Sequence, residues 1–483
     1  MPNSSLPPSL RLKSTKKYIA NNGNISTRVK STDDTLTQVI PICNKIGLTR
    51  ISDITHMDRL CIPNYSAILP GTEDSIWVYG GKGPTKKHAR ASALMESIER
   101  YCSLSSTYSK CFIQGTYSEL SKIYNKVLHP DEVIEPVEQL YNDRDSIIDF
   151  VQGFDIINKE EVLVPAQLAF SKFAAKLPSV HAFPYSHTNG LASGNVMEEA
   201  ICHALCEVIE RDAASIADLC ASSLPYSILV KIANSLKKIE SDGDPVIKMP
   251  EVKFVDDSSV FPDVNISEVA EEFDPLKFLV NRFADAGLSL LIKDITQKDI
   301  GVPTFVASSI EWISSDYGYF AKGYGTHLDA RIALIRAITE LSQTRAANIQ
   351  GARDDFKKIQ YKENDDIYKR KWQFMPASSS PTSDNDQTVM FSEIKTYVNS
   401  NILDDIKFIF NLLKKAGLKR AIIVDLTNPS LKIPVVRVIV PGLETFEIAK
   451  LFTNTDLCMG RRAKTRFRQI YNSNKLRYPL TRN

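Results

Sequence analysis

Three segments carry polar side chains at helical spacing: Ser92-Ala-Leu-Met-Glu96-Ser-Ile-Glu99-Arg100, Glu199-Ala-Ile-Cys-His203-Ala-Leu-Cys-Glu207-Val-Ile-Glu210-Arg211 and Arg336-Ala-Ile-Thr-Glu340-Leu-Ser-Gln343-Thr-Arg345. Residues three or four apart share a helix face. Ser92, Glu96 and Glu99 therefore form one stripe, Glu207 and Glu210 a second, and Arg336, Glu340 and Gln343 a third. Carboxylates on helices this rich in Ala, Leu and Ile are costly to bury unless they are paired or bind a cation. Hard divalent cations prefer oxygen ligands, so paired stripes from two helices predict a cage for magnesium, which suits nucleotide chemistry. For any one helix alone, a solvated Glu–Arg pair is the commoner arrangement. The repetition of Glu-x-x-Glu-Arg in two helices argues against it here.

Each of these helices follows a glycine-bearing turn: Tyr79-Gly-Gly-Lys-Gly-Pro-Thr85, Thr188-Asn-Gly-Leu-Ala-Ser-Gly-Asn195 and Gly323-Tyr-Gly-Thr-His327. Glycine lets backbone N–H groups turn toward an anion, and a helix N-terminus adds partial positive charge. None of the turns is a Walker A loop or a dinucleotide fingerprint, so a nucleotide would have to bind in a different fold.

The elements that must position these groups follow from apolar spacing and caps. A helix is expected over Thr35–Gly47, capped by Asp33 or Asp34, and the first motif helix over Thr85–Leu104. Glu160–Phe173 reads as a strand followed by a helix. Asn195 opens the second motif helix, with Glu198 in a capping box, and Asp329 opens the third. Leu288–Lys293, Val302–Ile310, Ala421–Leu426 and Pro434–Val440 read as strands. Ser222–Glu268 is a variable region rich in Ser, Asp and Pro.

The chain has 483 residues and a formal net charge of +2, which gives no global case for nucleic-acid binding. No apolar run is long enough to span a bilayer, and the first residues lack the regions of a signal peptide. A cytoplasmic location is the expectation, and the eight scattered cysteines without a Cys-x-x-Cys pair fit a reduced compartment. Cys202, His203 and Cys206 invite a zinc reading, but no second pair with suitable spacing completes four ligands, so buried thiols are expected. Residues 1–16 are expected to be a disordered tail and 17–483 a single domain with subdomains. An exposed loop is expected near 373–386 and a basic tail over 461–483.

The three motifs in this order resemble the signature of YcaO proteins, and the neighbouring words Gly81-Lys-Gly-Pro-Thr85, Asn189-Gly-Leu-Ala-Ser-Gly194 and Gly323-Tyr-Gly-Thr-His327 match too. The resemblance runs from about Lys17 to the C-terminal segment. It implies an α+β, YcaO-type fold in which helices carrying an ATP and Mg2+ site pack with mixed β-sheets. By resemblance, Glu96, Glu99, Glu207 and Glu210 hold magnesium around the triphosphate. Ser92, Asn195, Arg211, Arg336 and Glu340 line the nucleotide, Gln343 and Arg345 complete the third motif, and Arg28 matches an N-terminal basic residue that reaches the phosphates. The implied chemistry is activation of a backbone amide of a peptide or protein, with its oxygen phosphorylated and then replaced. The nucleophile is an internal Cys, Ser or Thr for an azoline ring, or sulfide or a sulfur carrier for a thioamide. No Ser-His-Asp or catalytic-cysteine arrangement is needed, and none has persuasive spacing.

Azoline-forming members commonly end in a Pro-x-Pro-x-Pro tail, whereas this chain ends Tyr478-Pro-Leu-Thr-Arg-Asn483. Ile46-Gly-Leu-Thr-Arg-Ile-Ser-Asp-Ile-Thr55, Asp58-Arg59, Ile62-Pro63, Gly325-Thr-His-Leu-Asp329 and Val436-Arg-Val-Ile-Val-Pro-Gly-Leu-Glu444 are similar to a methanogen branch. That branch thioamidates a glycine in the α subunit of methyl-coenzyme M reductase, often with a TfuA partner. A homodimer is also compatible with the sequence; a membrane or nucleic-acid partner is not expected. Two competing readings are an azoline-forming cyclodehydratase and a non-catalytic YcaO that binds ATP or peptide. The second predicts lost carboxylates, and all four Glu are present.

Overall fold

The computed structural model describes residues 10–19, 26–74, 76–133, 135–136, 147–171, 173, 188–220, 254–255, 261–314, 317–351, 388–444, 458–459 and 476–477. The loop expected at 373–386 lies outside them, as does the basic tail apart from Leu476–Arg477, which pairs in parallel with Phe254–Val255.

Three sheets carry the motif helices. The first is an antiparallel meander of β1 (Arg50–Asp53), β2 (Asn64–Ile68) and β3 (Val78–Lys82). The second, central sheet joins β4 (Ile113–Gly115), β5 (Ile148–Asp155), β13 (Ile422–Asp425), β14 (Val435–Ile439) and β7 (Leu191–Ser193) in that spatial order, with β6 (Glu160–Pro165) also on β5. The third orders β11 (Tyr317–Thr326), β10 (Thr304–Ser314), β9 (Leu291–Asp294) and β8 (Asp263–Asn265), with β12 (Thr388–Met390) parallel to β8. The larger helices are α1 (Thr32–Lys45), α2 (Lys86–Cys102), α3 (Met197–Cys220), α4 (Asp274–Asp285), α5 (Ala330–Gln350) and α6 (Ile402–Lys415).

The central sheet is covered on both faces. On one, Leu205 of α3 and Ile406 and Ile409 of α6 pack with Ile423, Val436 and Val438. On the other, Val39 of α1 and Leu94 and Ile98 of α2 pack with Ile422, Val424, Val435 and Ile439. Successive strand residues point to opposite faces, so a strand buried twice reads as an unbroken apolar run. That explains Ile422-Ile-Val and leaves Arg437, in the middle of β14, as the one charge in an apolar strand. Helices α4 and α5 cover the third sheet through Leu279, Phe283, Leu334 and Ile338 against Phe305 and Ala307. The α+β architecture expected from the motifs is present.

Some boundaries differ from the sequence reading. Helix α1 begins three residues earlier, because the Ser31 hydroxyl accepts from Asp34 N–H and caps it. Asp33 and Asp34 sit in its first turn, where the helix dipole favours them. Strand β10 runs on to Ser314 because β11 pairs with it along most of its length. The variable region is structured at its end, as β8 and the short helix Ser267–Glu272. The tail expected through residue 16 is ordered from residue 10. Leu10 is buried against α3 and α6, Lys13 N–H donates to Glu198, and Lys16 bridges Asn401. Among the described residues, no helix is long and apolar enough to cross a membrane.

Candidate functional site

Each motif helix folds back along the strand before it, and glycine permits the approach. A Cβ at Gly81 would lie 2.2 Å from Ala89 O and 2.3 Å from Ala93 N. At Gly325 it would lie 2.1 Å from Ala333 O and 2.4 Å from Ala337 N, at the same intervals along the chain. Gly83 and Gly194 share a second contact: their Cβ atoms would meet the Cβ of His88 and of Glu199, at 2.6 and 2.7 Å. Counting on from these glycines, Glu96, Glu207 and Glu340 take one equivalent position. Glu99, Glu210 and Gln343 take another, and Ser92, His203 and Arg336 a third. The three motifs are one strand–turn–helix unit used three times. The equal intervals were visible in the sequence and are the signal that ties the motifs together.

The units bring their polar stripes together. Ser193, at the end of β7, donates its N–H to Glu99 Oε2 at 2.9 Å, joining the second unit to the first. Lys82, at the end of β3, forms an ion pair with Glu340, joining the first to the third. Tyr324 N–H donates to the other Glu340 oxygen at 3.3 Å. Gln343 packs over Gly80 of β3, where a Cβ would meet its amide nitrogen at 2.3 Å. Ser92 lies half-buried one turn before Glu96 on α2.

The electrostatics of this cluster are those of an excess of carboxylate. Burial, followed by the charges of Glu207 and Glu96, pushes the Glu99 carboxyl well above the usual range. Burial raises Glu207 to about 7 against the pull of Arg211, Arg437 and Lys82. Burial and then Glu340 raise Glu210 to about 8. Glu340 is also buried, but Lys82 and Arg211 outweigh that and hold it below the ordinary value. Arg437 is fully buried, which lowers it to about 10 against the pull of Glu207 and Glu99, and its Nε donates to Leu168 O at 2.9 Å. Sequence reasoning missed Arg437 as a site residue; its signal was a lone charge in an apolar strand.

The remaining expected residues divide. Asn195 donates from its backbone and its side-chain amide to Glu199 Oε2, at 2.9 and 3.0 Å. Glu199 thus takes the reciprocal contact expected of Glu198, which is occupied by Lys13. Glu199 also accepts from Val29 N–H at 2.5 Å and lies 3.7 Å from Arg28, so the N-terminal segment is tied to the start of α3. Arg336 donates to Thr326 O at 2.9 Å, and its charge, after burial, keeps His203 and His327 well below the ordinary imidazole range. Arg211 sits among Glu207, Glu210 and Glu340, whose carboxyls its charge lowers. Arg345 is not gathered with the carboxylate cluster. Its guanidinium grips Asp58 at 2.7 and 2.9 Å and Glu311 at 2.7 Å, in a buried network beside the first sheet. The structure thus places Arg345, expected to complete the third motif, on Asp58 and Glu311. Cys202 and Cys206 are buried thiols.

The donor set fits magnesium held together with a nucleotide. Among the described residues, no group of three or more His, Cys, Asp or Glu side chains is gathered closely enough to hold a metal ion alone. Mg2+ is usually bound by one or two carboxylates, waters and substrate phosphates rather than by an all-protein cage. Glutamates on facing helices whose carboxyls are raised first by burial and then by one another's charge suit that arrangement: a cation between them and the phosphates would favour their charged forms.

The same organisation recurs in known proteins. The chain is 33% identical over 404 residues to a protein of Methanothermobacter thermautotrophicus, covering 83% of this chain and 91% of the relative. It is 28% identical over 443 residues to a Rhizobium leguminosarum bv. trifolii protein described as lying in the tfuA 3′ region, covering 89% and 91%. The fold is similar to that of YcaO from Methanopyrus kandleri bound with AMPPCP and Mg2+, with a TM-score of 0.60, 21% identity and coverage of 88% of this chain and 94% of that one. A family model described as YcaO cyclodehydratase, ATP- and Mg2+-binding, matches residues 80–444, a span that contains all three motif helices. The chain belongs to the YcaO family, and its cofactors are ATP and Mg2+.

Proposed function

We propose that this enzyme carries out ATP- and Mg2+-dependent thioamidation of a peptide backbone amide, with a glycine of methyl-coenzyme M reductase as the substrate residue. The carbonyl oxygen leaves with phosphate as ATP becomes ADP, and sulfur from sulfide or a sulfur carrier takes its place. The observation that carries this reading is the pair of relatives: one from a methanogen at 33% identity and one from a tfuA region at 28%. A TfuA protein is accordingly the proposed partner. The bound nucleotide supplies the phosphoryl group, and its metal offsets the charge that develops as that group transfers.

The chain's own residues supply position and charge. Glu96, Glu99, Glu207 and Glu210 are assigned to the metal. Ser92, Asn195, Arg211, Arg336, Glu340 and Gln343 are assigned to the nucleotide, and Arg28 to the phosphates. Arg211 and Arg336 can add charge-assisted hydrogen bonds. Such a site contributes mainly by holding amide and phosphate in line and by stabilising the charge that develops. Glycine suits as a target because its bare Cα lets a bulky activated carbonyl be approached. It carries no thiol or hydroxyl, so the nucleophile comes from outside.

The family description as cyclodehydratase favours a second reading, closure of a Cys, Ser or Thr onto the preceding carbonyl to form an azoline. One experiment separates the two. The protein is incubated with ATP, Mg2+, sulfide and a glycine-containing reductase peptide whose carbonyl carries heavy oxygen, with and without a TfuA protein. Thioamidation adds about 14 Da to the labelled peptide, or about 16 Da to an unlabelled one, and sends the heavy oxygen to phosphate. Loss of water at a Cys, Ser or Thr, with no sulfur gained, would overturn the thioamide reading in favour of the azoline.

A further inference from the structure

Lys82 is a cation among the carboxylates that neither the metal nor the nucleotide assignment uses. It is the last residue of β3 and lies between Gly81 and Gly83, whose contacts press the strand end against α2. Its backbone is thereby held by the first unit, while its ammonium reaches across to Glu340 of the third. Its charge also lowers Glu207 and Glu210 of the second unit. The equivalent strand ends of the other two units are Ser193 and Thr326, which bear no charge. The Lys82 side chain is 25% exposed, so it has room to move. An ammonium on a four-carbon stem is a mobile point charge and a common phosphate binder.

We propose that Lys82 is a built-in counter-cation: its ammonium occupies the carboxylate cluster before magnesium arrives and passes to the nucleotide phosphates when the metal takes its place. A divalent ion interacts with a carboxylate about twice as strongly as a monovalent one at equal distance, so magnesium displaces the ammonium from Glu340 and its neighbours. The released ammonium then lies at the end of a glycine-flanked turn, where the phosphates bring negative charge. Glu340 changes partner from Lys82 to the bound cofactor, and the third unit senses occupancy through that exchange. A permanent Lys82–Glu340 brace would show no such exchange.

The inference rests on the assignment of the glutamates to magnesium, and the experiment tests the two separately. Melting temperatures are measured for wild type and Lys82→Gln in EDTA, in Mg2+ alone and in Mg2+ with AMPPNP. Without the competing ammonium, Mg2+ alone should raise the melting temperature of Lys82→Gln more than that of wild type. Affinity for Mg·AMPPNP should fall about tenfold for loss of one charge-assisted contact. An equal or smaller response of Lys82→Gln to Mg2+ alone overturns the exchange. Reductive methylation of wild-type Lys82, read by peptide mass, needs no variant. Mg2+ alone should speed labelling and Mg·AMPPNP should slow it again, whereas equal rates in all three states overturn the exchange. If Mg·AMPPNP leaves the wild-type melting temperature unmoved, the glutamate assignment itself fails.

Discussion

Glu207→Gln should stabilise the metal-free protein at alkaline pH while destroying its activity. Burial lifts the Glu207 carboxyl from 4.5 to about 7. That shift of roughly 2.5 units is worth about 3 kcal/mol between the two protonation states. The folded state holds this proton more tightly than the unfolded chain does. The favourable contribution is therefore full below about pH 4.5 and is lost as pH rises to about 7. Glu207 keeps a partial opening to solvent, so the figure is an upper limit. An uncharged amide of the same shape removes the dependence. For 483 residues the unfolding entropy is on the order of 1 kcal/mol/K, so the gain is at most about 3 °C. Calorimetry in EDTA should find the two proteins alike at pH 5 and the variant melting higher at pH 8. Turnover with ATP and Mg2+ should fall on the order of a thousandfold, as for loss of a metal ligand. A variant that melts lower than wild type at pH 8 would refute the argument from burial. One that turns over normally would refute the ligand assignment.

The same electrostatics set the pH dependence of binding. Glu207 and Glu210 must give up protons near 7 and 8 to take a cation, so Mg·AMPPNP affinity should rise through that window with proton release in calorimetry. A flat profile would contradict it. Gly325→Ala would place a Cβ 2.1 Å from Ala333 O and push α5 off β11, a loss of about 3 kcal/mol that a denaturant melt would register. Arg336→Ala should raise the Michaelis constant for ATP about tenfold with little change in melting temperature. Arg345→Ala should do the reverse, costing about 3–5 kcal/mol by stranding Asp58 and Glu311 while the folded remainder keeps its affinity for ATP.

The motif helices were legible because their caps and stripes are local. Asp329 caps α5 as its type suggests, and Thr85 caps α2 at the edge of the expected segment. The α5 stripe does not extend to Arg345. Arg336, Glu340 and Gln343 turn toward the other units, but Arg345 is carried around the helix to Asp58. Spacing alone cannot show which neighbour waits there. Lys82 and Arg437 act through contacts between elements distant in sequence, and Glu199 is tied to Val29 and Arg28 across such a gap. Nothing in their immediate neighbours marks those partners. Leu10 was read as tail because its flanking Ser and Pro residues are loop-like, yet it is buried in the cluster that α3 and α6 share.

Dividing the site among three units has a physical consequence. Among the described residues no group of three or more ligand side chains is gathered to hold a cation, and the carboxylates of different units raise one another in addition to their burial. The cations that temper this repulsion come from separate elements: Lys82 from β3, Arg211 from α3 and Arg437 from β14. Within each unit, a glycine of the strand or turn lies close against an alanine backbone of the helix. Electrostatic freedom therefore resides between units, at Lys82–Glu340 and Ser193–Glu99. The free energy of binding Mg2+ and nucleotide is then available where the three units meet, which is where an inert amide must be aligned with a phosphoryl group.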